Sequence, residues 1–561
     1  MNTSNGIDSL SQNSIYYDGT LVQNVQELPD NVIVLLDADS ARNVVHLQKI
    51  SGSGSLVVDL RGESNCRVLL GTGNEITSGT LRIHFPSEPE QIPDVSYVDI
   101  GHLNTFLGNG TIAAPNAYGV SIGSGNSFGD GFTVRGDDYV IYDLRDKTIL
   151  NPTSGLRIGS RNHIRENVVV ASGGAIGDDT IVNVGSMVIS DWTNERNVIL
   201  EGRPSRVIRE NVGWRIATSR QRSKRPLLTI GITTYERPET VNRAVQSILS
   251  QTIPEGSQVE VFVVDDGSTS ESYRDFVRML ESLKVGDQIS VTALRNRVAT
   301  GGPSEGRNTV IDVATGRYVM FLDDDDFFVD ESLSELLEYI GTSDSQRVTM
   351  RHRRAGRSIY RAPAKKQIRV DIVDSLWTML ALSAFRLDDV RSFGSRFPSG
   401  VHYGEDSEFV LHFSVRAEAF MALCDRDYIV RGDPFPGENA HLSQGSGSWL
   451  SFMRGILSHL DRFADILDTA NLPIYIRDRL AARVLLDRSV GSYQMLRRIS
   501  EMSKDAIAQE LLDRYAATIS RTLPDEAVLR FAKGASLEQE FRAVLARDIS
   551  ALRRARNKTV I

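Results

Sequence analysis

The stretch YVMFLDDDD, residues 318–326, decides how the middle of the chain folds. Its apolar run is short and is followed directly by four acids, which predicts a buried strand that ends in a cluster of carboxylates. Four adjacent carboxylates repel one another, and a divalent cation bound between them would relieve that repulsion. The alternative interpretation is a solvated acidic turn, which a single acidic pair would have favoured.

Further predicted strands lie upstream of this stretch. They are LLTIGIT, residues 227–233, VEVFVVDDGST, residues 259–269, and ISVTALR, residues 289–295. Helical segments separate the strands: SEGRNTVIDVAT is a short helix, and another helix has an apolar face made of Val241, Ala244, Val245, Ile248 and Leu249. Strands and helices that alternate in this way predict a parallel sheet with helices on both of its faces.

Polar residues follow three of these strands. In chain order they are Thr234 and Tyr235, then Asp265 and Asp266, then Asp323, Asp324, Asp325 and Asp326. Sheets of this type bind their ligands at the carboxyl ends of the strands. The sequence therefore predicts one site at this edge of the sheet, with hard oxygen ligands that suit Mg²⁺ or Mn²⁺.

The segments TYERPE, VVDDGST, GGPSEGRN and FLDDDDFF stand in the order and spacing of the family 2 glycosyltransferases, which the chain resembles over about residues 226–410. The resemblance implies a GT-A fold and a nucleotide-sugar donor. A UDP-sugar is the first choice because most relatives use one. The resemblance also implies that Mn²⁺ or Mg²⁺ stabilises the charge on the departing nucleotide diphosphate.

The same resemblance assigns roles to individual residues. The implied nucleotide-sugar-binding residues are Thr234, Tyr235, Glu236, Asp265, Asp266, Arg307, Asp323 and Asp324. The implied metal ligands are Asp325, as the more direct one, Asp323 and His441. A structural role for His441 is an equally open alternative. The chain departs from the family pattern at Gly306, where Ala is frequent, and at Asp324, where a small residue is common.

The segment HYGEDSEFVLHF, residues 402–413, resembles the family's Glu-Asp motif at the start of a helix. This resemblance implies that Asp406 is the general base that takes the proton of the acceptor hydroxyl, and that Glu405 orients it or contacts the acceptor. A base and a leaving group on opposite sides of the anomeric carbon imply a single displacement with inversion. The alternative is that both acids only interact favourably with a helix N-terminus.

The N-terminal third of the chain repeats with a period of six. Apolar residues recur at this spacing at Ile158, Ile164, Val170, Ile176, Val182 and Val188, and upstream at Ile122, Phe128 and Val134. A helix repeats about every 3.6 residues and a strand about every 2, so neither fits. A period of six fits a β-helix whose coils have three flat sides, each with one inward residue in a shared apolar core.

Residues 155–214 resemble the left-handed β-helix acyltransferases with hexapeptide repeats, and this resemblance implies a homotrimer. In that family a His deprotonates the acceptor, whereas Tyr139 stands at the matching place in this chain, and a tyrosine is a poor base at neutral pH. His163 and His102 are the remaining candidates, although a histidine between coils is more often structural. We therefore expect a degenerate acyltransferase that trimerises and positions the rest of the chain.

Changes in composition and apolar periodicity along the chain predict three domains and a linker. The β-helix covers residues 15–216, the basic linker ATSRQRSKR covers 217–225, the glycosyltransferase domain covers 226–445, and an all-helical domain covers 446–561. The last of these shows apolar stripes with charged outer faces, which predicts helices that pack on the catalytic domain. No separate chemistry is expected there.

Composition excludes several classes of function. The net charge of −9 and a pI of about 5.6 argue against nucleic-acid binding, which needs a basic surface. Two cysteines, Cys66 and Cys424, are too few for a disulfide framework or a zinc cluster. The first residues, MNTSNGIDSLSQNS, do not form a secretory signal, and no apolar run approaches the ~20 residues that span a bilayer. We expect a cytoplasmic protein, with peripheral contact at the inner face of the membrane left open.

Three functions remain open from the sequence. The first is an inverting, metal-dependent glycosyltransferase that moves a sugar to a hydroxyl of a glycan or polyol-phosphate surface polymer, such as teichoic acid or capsule. The second is a bifunctional enzyme that also O-acetylates the glycan, for which His163 or His102 would have to replace the absent base. The third is a non-catalytic glycan-binding scaffold, which the intact acidic motifs disfavour.

Overall fold

The structure, a computed structural model, describes residues 12–37, 39–61, 63–85, 96–114, 119–136, 145, 155–214, 225–283, 285–296, 299–354, 357–358, 368–376, 382–401, 404–435, 438, 449–487, 494–532 and 535–557. Three groups of elements follow one another along these ranges. They are a series of short parallel strands, an α/β region around one large sheet, and a series of helices. None of the helices in this described part of the chain is both long enough and apolar enough to cross a membrane.

The first group, called the N-terminal stack below, runs from Ser14 to Arg209 and consists of three sheets that the chain visits in turn. The first sheet contains Ser14–Tyr17, Thr20–Leu21, Val44–Leu47, Arg67–Leu70, Tyr97–Ile100, Gly119–Ile122, Leu156–Ile158, Ala175–Ile176 and Asp191–Trp192. The second contains Glu75–Ile76, Thr105–Phe106, Ser127–Phe128, His163–Ile164, Ile181–Val182, Ile199–Gly202 and Ser205–Arg209. The third contains Val32–Leu35, Ser55–Asp59, Thr80–His84, Gly110–Ala113, Phe132–Arg135, Val169–Ala171 and Met187–Val188.

The six-residue repeat of the sequence is the repeat of buried positions in the stack. Ile158 pairs with Ile176 in one sheet, and Ile164 pairs with Val182 in another, so one passage through the three sides takes eighteen residues. The side chains at these positions are at most 1% exposed and face a common apolar core. The core is therefore continuous along the stack, because each strand buries its inward residue against the strands before and after it.

A ladder of buried polar side chains runs along one edge of this core. The side-chain oxygens of Asn74, Asn104, Asn126 and Asn162 accept hydrogen bonds from the backbone N–H groups of Asn104, Asn126, Asn162 and Thr180, over 2.7–3.0 Å. All five residues are fully or almost fully buried. Each coil thus satisfies a backbone donor of the next, which a buried amide must do to avoid a desolvation cost.

The second group is built on a mixed sheet that, within the described ranges, has eight strands. In spatial order they are Ile289–Arg295, Val259–Asp265, Leu228–Thr234, Tyr318–Asp323, Ser383–Arg386, Arg347–Met350, Phe420–Leu423 and Ile368–Val370. The first four are parallel, as the sequence predicts. A smaller sheet contains Phe327–Phe328, Ile429–Arg431, His352–Arg354 and Arg357–Ser358.

Helices cover both faces of the large sheet, and side chains of its strands alternate between the two apolar cores. The helices of this region are Pro238–Leu249, Ser270–Ser282, Ser304–Val313, Ser332–Thr342, Ile372–Ser375, Leu387–Ser392 and Glu405–Ser414. On one face Val245 of the first helix packs against Ile230 and Val261. On the other face Val310 packs in the same core as Phe321 and Phe409.

The third group consists of helices that join the second of these cores. They are Trp449–Thr469, Ile474–Ala481 with a continuing π-helical turn Ala482–Asp487, Met495–Ser500, Asp505–Thr522, Asp525–Phe531, Ala535–Leu545 and Ile549–Asn557. Leu457, Leu460 and Phe463 of the first helix are buried in the apolar cluster that also holds Phe409 and Phe413. The C-terminal helices therefore pack on the sheet through a shared core rather than through a polar surface.

Candidate functional site

The polar residues predicted at the strand ends do meet at one edge of the large sheet. Thr234 is directly opposite Asp265 on one neighbouring strand, and Thr233 is opposite Asp323 on the other. The backbone N–H of Asp266 donates to the carbonyl of Thr234 over 2.8 Å. The parallel register brings these side chains together because each strand ends at the same level, as expected for sheets of this type.

The four acids Asp323, Asp324, Asp325 and Asp326, called the acid cluster below, lie at the end of one central strand. Asp323 closes the strand and is partly exposed, whereas the three that follow are buried. Asp323, Asp325 and Asp326 each offer one carboxylate oxygen, and these oxygens lie within 4.8 Å of one another. No other group of three His, Cys, Asp or Glu side chains in the described residues meets this spacing.

This donor set fits a divalent metal. A hard cation binds carboxylate oxygens at about 2.1 Å, so two of its ligands lie up to about 4.2 Å apart, close to the spacing in the acid cluster. Asp326 gives the strongest indication, because its Oδ2 atom is buried and makes no hydrogen bond to any described residue. Among the described residues, its Oδ1 atom accepts one hydrogen bond, from the backbone N–H of Gly432 over 3.2 Å. Such a buried orphan oxygen requires a ligand or a proton.

Cations balance only part of the acid cluster. Arg237 Nη1 lies 2.9 Å from Asp324 Oδ1 and 3.8 Å from Asp325 Oδ2. Asp324 Oδ2 also accepts the hydroxyl of Thr234 over 3.0 Å. Arg243 donates to the backbone carbonyl of Asp325 rather than to a carboxylate. Asp324 therefore bonds to Arg237 and Thr234. The carboxylate oxygens of the other three acids lie close enough together to hold one metal ion between them.

Burial disfavours the charged form of the acids in the cluster. Burial raises the pKa of Asp324 to about 7, the charge of Asp325 adds to the rise, and the guanidinium of Arg237 opposes it. Burial also raises the pKa of Asp326 well above its ordinary value, and the charges of Asp323 and Asp325 act in the same direction. Crowded carboxylates with raised pKa values favour either protonation or cation binding, and such groups cluster at functional sites.

Arg307 joins the acid cluster to the predicted base. Its Nη2 atom lies 2.6 Å from Asp323 Oδ1, and its Nη1 atom lies 2.5 Å from Asp406 Oδ1 and 3.2 Å from Glu405 Oε1. The Arg307 side chain is 4% exposed. One buried guanidinium therefore spans the end of a strand and the start of a helix, and it fixes the distance between the two acids.

The helix Glu405–Ser414 begins at the predicted Glu-Asp motif, which confirms this element. Gly404 precedes it with a φ of +79°, and a Cβ atom there would lie 2.4 Å from the ring of His459. Only glycine suits this position, because the backbone is left-handed and the C-terminal helices approach closely. Burial and then the charge of Asp406 raise the pKa of Glu405 to about 7, against the opposing charge of Arg307.

The remaining predicted nucleotide-binding residues line the neighbouring strand ends. Asp266 accepts the side-chain amide of Asn296 over 2.7 Å and the hydroxyl of Thr300 over 2.8 Å. Asp265 accepts the N–H of Ser268 and lies 3.3 Å from Arg295. Burial raises the pKa of both acids. Tyr235 is 41% exposed beside them, so its ring is accessible to a ligand.

Glu236 takes a position that the sequence did not indicate. Its φ is +55°, and its carboxylate accepts the backbone N–H and the hydroxyl of Thr269. Thr269 precedes the helix Ser270–Ser282. Glu236 therefore ties the loop after the first strand to the start of that helix, and its carboxylate supports the shape of the site.

Several predicted residues fall elsewhere. His441 and Tyr139 lie outside the described residues. His102 is buried, and its Nδ1 atom accepts the backbone N–H of Thr72 over 3.0 Å, which is a structural contact. The ring of His163 stacks on that of Trp214 with centroids 5.0 Å apart, and burial lowers its pKa.

The sequence assigned no role to Arg237 or Glu438, and it did not name Asp326 as a metal ligand although Asp326 is one of the four acids expected to lie around a cation. Arg237 stands in the quoted segment TYERPE, but nothing in that segment indicates its ion pair with Asp324. Glu438 is different, because its carboxylate accepts the backbone N–H groups of Glu239 and Thr240 at the start of the first helix. The 198 or more residues between these partners leave no local pattern in the sequence.

Comparison with models of protein families matches residues 229–401 to the family described as "Glycosyl transferase family 2". This match contains the acid cluster and Arg307 and ends shortly before Asp406. It covers less than a third of the chain.

Some curated proteins with related sequences carry poly(ribitol-phosphate) in their names. The poly(ribitol-phosphate) beta-glucosyltransferase of Bacillus spizizenii is 26% identical over 206 residues, which are 36% of this chain and 31% of that protein. The poly(ribitol-phosphate) beta-N-acetylglucosaminyltransferase TarS of Staphylococcus aureus is 24% identical over 201 residues, 35% of this chain and 34% of that protein. The chain thus matches about a third of the length of each relative.

A solved structure of residues 1–349 of S. aureus TarS in complex with UDP-GlcNAc superposes with a TM-score of 0.51 and 20% sequence identity. The superposition covers 59% of this chain and 91% of that one. At this identity the likeness shows that the two proteins share a fold.

Proposed function

We propose that this protein is an inverting glycosyltransferase that moves a sugar from a UDP-sugar to a hydroxyl of a surface polymer. The observation that carries the proposal is Arg307, whose guanidinium bonds both Asp323 of the acid cluster and Asp406 of the following helix. A sugar-transfer site needs a place for the diphosphate and a base for the acceptor on opposite sides of one reacting carbon. This pair of acids, held apart by one buried cation, fits those two places.

The nucleotide of the donor would bind along the ends of the first two strands. Tyr235 offers an exposed ring for stacking on the base, and the carboxylate of Asp266 fixes the loop that carries Asn296 and Thr300. Asp265 accepts the backbone N–H of Ser268 and so fixes the turn that follows its own strand. The polar edge of the sheet is where α/β folds bind nucleotides.

A divalent cation, Mn²⁺ or Mg²⁺, would be held by Asp323, Asp325 and Asp326, and when bound it would neutralise the charge that develops on the leaving diphosphate. Asp324 would not ligate it but would orient Arg237, which also faces Asp325. His441 is proposed as a further ligand on the family resemblance alone. The sequence assigned Asp323 and Asp325 to the metal, and the spacing of the oxygens adds Asp326 to that set.

Asp406 would act as the general base. Arg307 pairs with the ionised carboxylate, which is the form that can accept a proton. The acceptor oxygen forms a bond to the anomeric carbon as its proton passes to Asp406, and the bond from that carbon to the diphosphate oxygen breaks with its electron pair. Attack from the side opposite the leaving group inverts the anomeric centre. Glu405, which faces the same guanidinium, would contact the acceptor or orient the base.

The acceptor we favour is a polyol-phosphate chain such as teichoic acid. Its support is the pair of relatives whose names give poly(ribitol-phosphate) as the acceptor. Capsule or another surface glycan stays the neighbouring choice. We propose that the protein acts as a cytoplasmic biosynthetic enzyme, with peripheral contact at the inner face of the cell membrane as the open alternative.

For the remainder of the chain we propose the division given by the sequence: a left-handed β-helix at 15–216, a linker at 217–225, the GT-A domain at 226–445 and a helical domain at 446–561. The three parallel sheets that the chain visits in turn support the first of these units. Trimerisation through the β-helix is proposed on the family resemblance. The engagement of His102 by Thr72 and the missing family base weigh against acetyl transfer by the β-helix.

The experiment that tests the proposal is a transfer assay with purified poly(ribitol-phosphate) as acceptor. UDP-Glc and UDP-GlcNAc would be offered in turn with Mn²⁺, and the anomeric proton of the early product would be assigned by NMR. A β-linked product from an α-linked donor is the expected result, and retention at the anomeric centre would refute the inverting mechanism.

Two further arms of the assay separate the alternative functions. Acetyl-CoA in place of the nucleotide sugar should give no product, and acetylated polymer would establish the bifunctional enzyme instead. Polymer binding without transfer or hydrolysis of any nucleotide sugar would establish the glycan-binding scaffold. Analytical ultracentrifugation of the same sample should give a trimer.

A further inference from the structure

A partly buried group of ion pairs joins the N-terminal stack to the α/β region. Its members, called the interface cluster below, are Arg161, Asp178, Asp179 and Arg196 of the stack together with Asp312 and Arg396 of the α/β region. Three arginines pair with three aspartates in this cluster, and the guanidinium of Arg391 lies beside it, where it donates to the carbonyl of Asp312. Their side chains are between 11% and 35% exposed, which is less than most of the surface ion pairs of this chain.

Arg161 is the centre of the cluster. Its Nε atom lies 2.7 Å from Asp179 Oδ1, and its Nη2 atom lies 3.2 Å from Asp178 Oδ2, both within the stack. Its Nη1 atom reaches across to Asp312 Oδ1, over 3.0 Å. The stack fixes these aspartates, since Asp178 Oδ1 also accepts the backbone N–H of Ser160 over 2.8 Å. Two aspartates of the stack thus hold Arg161 through its Nε and Nη2 atoms, and its Nη1 atom bonds Asp312 of the α/β region.

In the α/β region, the interface cluster contacts the helix that carries Arg307. Asp312 belongs to the last turn of the helix Ser304–Val313, and Arg307 lies in its first half. Arg396 Nη2 lies 2.5 Å from Asp312 Oδ1, and its Nη1 atom donates to the carbonyl of Asn308 over 3.2 Å. The helix is therefore fixed at two points, one of them directly after Arg307.

The contacts continue from Asn308 to the Arg307 guanidinium. The side-chain amide of Asn308 donates to the carbonyl of Phe397 and accepts its N–H, over 2.8 and 2.9 Å. The ring of Phe397 faces the guanidinium at 5.0 Å and stacks on Phe409 at 4.2 Å. Arg307 is thus held by its own helix and by an aromatic ring whose position depends on Asn308.

A second contact between the stack and the site is independent of the cluster. Thr72 Oγ1 accepts the backbone N–H of Arg295 over 2.9 Å, at the end of an edge strand of the large sheet. A Cβ atom on Gly19 would lie 1.9 Å from Arg295 Nη1, so only glycine permits this approach. Arg295 Nε in turn lies 3.3 Å from Asp265. Both contacts lead to side chains of the proposed donor site.

We infer that the N-terminal stack is a structural part of the sugar-transfer site, and that Arg161 is a positioning residue which sets the place of Arg307 through Asp312, Arg396 and Asn308. The catalytic consequence rests on the function proposed above, whereas the positioning itself does not. Removal of Arg161 leaves Arg396 as the one cation of the interface cluster that pairs with both Asp178 and Asp312, and it removes the direct ion pair from Asp312 to Arg161 of the stack. The helix Ser304–Val313 then keeps its contacts with Arg396 and Arg391 but loses its direct ion pair with Arg161, so we expect the position of Arg307 relative to Asp406 to be less well fixed.

The test uses the full chain as wild type, Arg161→Ala, Arg161→Lys and the matched control Arg165→Ala. Arg165 is four residues away in the same stack, but it is 43% exposed and contacts Glu166 and Asn183 within the stack. The first measurement is hydrogen exchange of residues 304–313 and 390–397, without any donor. Exchange should be at least about tenfold faster in Arg161→Ala, partly restored in Arg161→Lys, and unchanged in Arg165→Ala.

The second measurement is steady-state transfer with the same variants. In Arg161→Ala, kcat should fall by about tenfold to a hundredfold while the donor KM changes less than about threefold, because the reacting groups are displaced rather than removed. Arg161→Lys should recover part of the loss. A merely structural role would lower the yield of folded enzyme and would leave the kcat of the folded fraction unchanged.

Outcomes of the two measurements separate this inference from the proposed function. Absence of transfer by the wild type would refute the proposed function. The hydrogen-exchange data would still test whether Arg161 fixes the helix that carries Arg307. Unchanged exchange in 304–313 together with unchanged kcat in Arg161→Ala would overturn the inference. Asp179→Asn, which removes one partner of Arg161 and leaves two, carries the same test if Arg161→Ala does not fold.

Discussion

The core of the N-terminal stack and the acid cluster both bury polar groups, but they do so in opposite ways. In the stack, Asn74, Asn104, Asn126 and Asn162 are neutral, and the oxygen of each accepts a backbone N–H of the next coil. In the acid cluster, by contrast, the buried groups carry like charges, and Asp326 keeps an oxygen without a partner among the described residues.

The difference separates polar groups that serve stability from polar groups that serve a ligand. The ladder carries no charge, and its backbone-to-oxygen hydrogen bonds specify the register of each coil, although the Nδ2 atoms of Asn104 and Asn162 have no hydrogen-bond partner among the described residues. Adjacent buried carboxylates destabilise the folded chain until a cation or a proton joins them. A protein retains such an arrangement where binding needs it, which is why the acid cluster and not the ladder indicates function.

Replacement of Asp406 by Asn should have the largest effect. Asp406→Asn retains an oxygen for Arg307 but cannot accept a proton, so kcat for transfer should fall by about 10²–10⁴-fold with donor binding retained. Initial rates and donor titrations would measure the two effects. The matched control is Glu408→Gln on the same helix, which removes an acid that faces Arg462 instead of Arg307. Equal losses in both variants would exclude Asp406 as the base.

Truncation of one asparagine of the ladder should destabilise the stack more than the other substitutions considered there. Asn126→Ala removes the acceptor of the Asn162 N–H and should lower the free energy of unfolding by about 1–3 kcal/mol, with little change in donor affinity. Chemical denaturation and a donor titration would measure both. Asn194→Ala, at an exposed turn of the same stack, should change neither. A gain of stability in Asn126→Ala would remove the contrast with the acid cluster.

A pH effect should distinguish the site from the stack as well. The pKa of Glu405 is raised in the folded state, so the folded protein binds this proton more tightly than the unfolded chain. The corresponding stability is complete below about pH 4.5 and is lost as pH rises through about 7.

Denaturation of wild type and Glu405→Gln across this range would measure the effect. Between pH 4.5 and pH 8, the free energy of unfolding should fall by roughly 1–2 kcal/mol more in the wild type than in Glu405→Gln. The Asn126→Ala substitution removes no titratable group. Its free energy of unfolding should therefore depend on pH in the same way as that of the wild type. Parallel curves for Glu405→Gln would mean that burial does not disfavour the charged form of Glu405.

Neutralisation of Asp326 should have the smallest effect and the opposite sign. Asp326→Asn removes a buried carboxylate whose Oδ2 atom makes no hydrogen bond to a described residue and keeps an oxygen for the Gly432 N–H, so the metal-free protein should gain about 0.5–2 kcal/mol of stability while its response to Mn²⁺ weakens. Thermal unfolding with and without Mn²⁺ would measure both. Asp330→Asn, at an exposed position nearby, should show neither change. A loss of stability in metal-free Asp326→Asn would show that this carboxylate has a partner in the folded state.

Much of the fold could be predicted because its elements follow local periodicities. The strand Ile289–Arg295 has the predicted bounds, and the helix Glu405–Ser414 begins at the predicted acids. The ladder was visible in principle, since Asn104, Asn126 and Asn162 each stand two residues before an inward apolar residue.

Contacts between distant segments could not be predicted in this way. Arg161 meets Asp312 across 151 residues, and Glu438 reaches the start of the first helix across 198. Such pairs depend on how complete elements pack, and no periodicity in one sequence records that packing. The same limit applies to Asp326, whose unbalanced charge depends on which arginines the fold brings near it.

The most direct test of the account is thermal unfolding of wild type and Asp325→Ala in Mn²⁺ with UDP-, GDP-, CDP- and TDP-sugars, each in parallel. The account predicts that a UDP-sugar stabilises the wild type in a Mn²⁺-dependent manner and that Asp325→Ala, although folded, loses this response. Stabilisation of both proteins to the same extent, or of neither by any nucleotide sugar, would contradict the assignment of the acid cluster as the metal-dependent donor site.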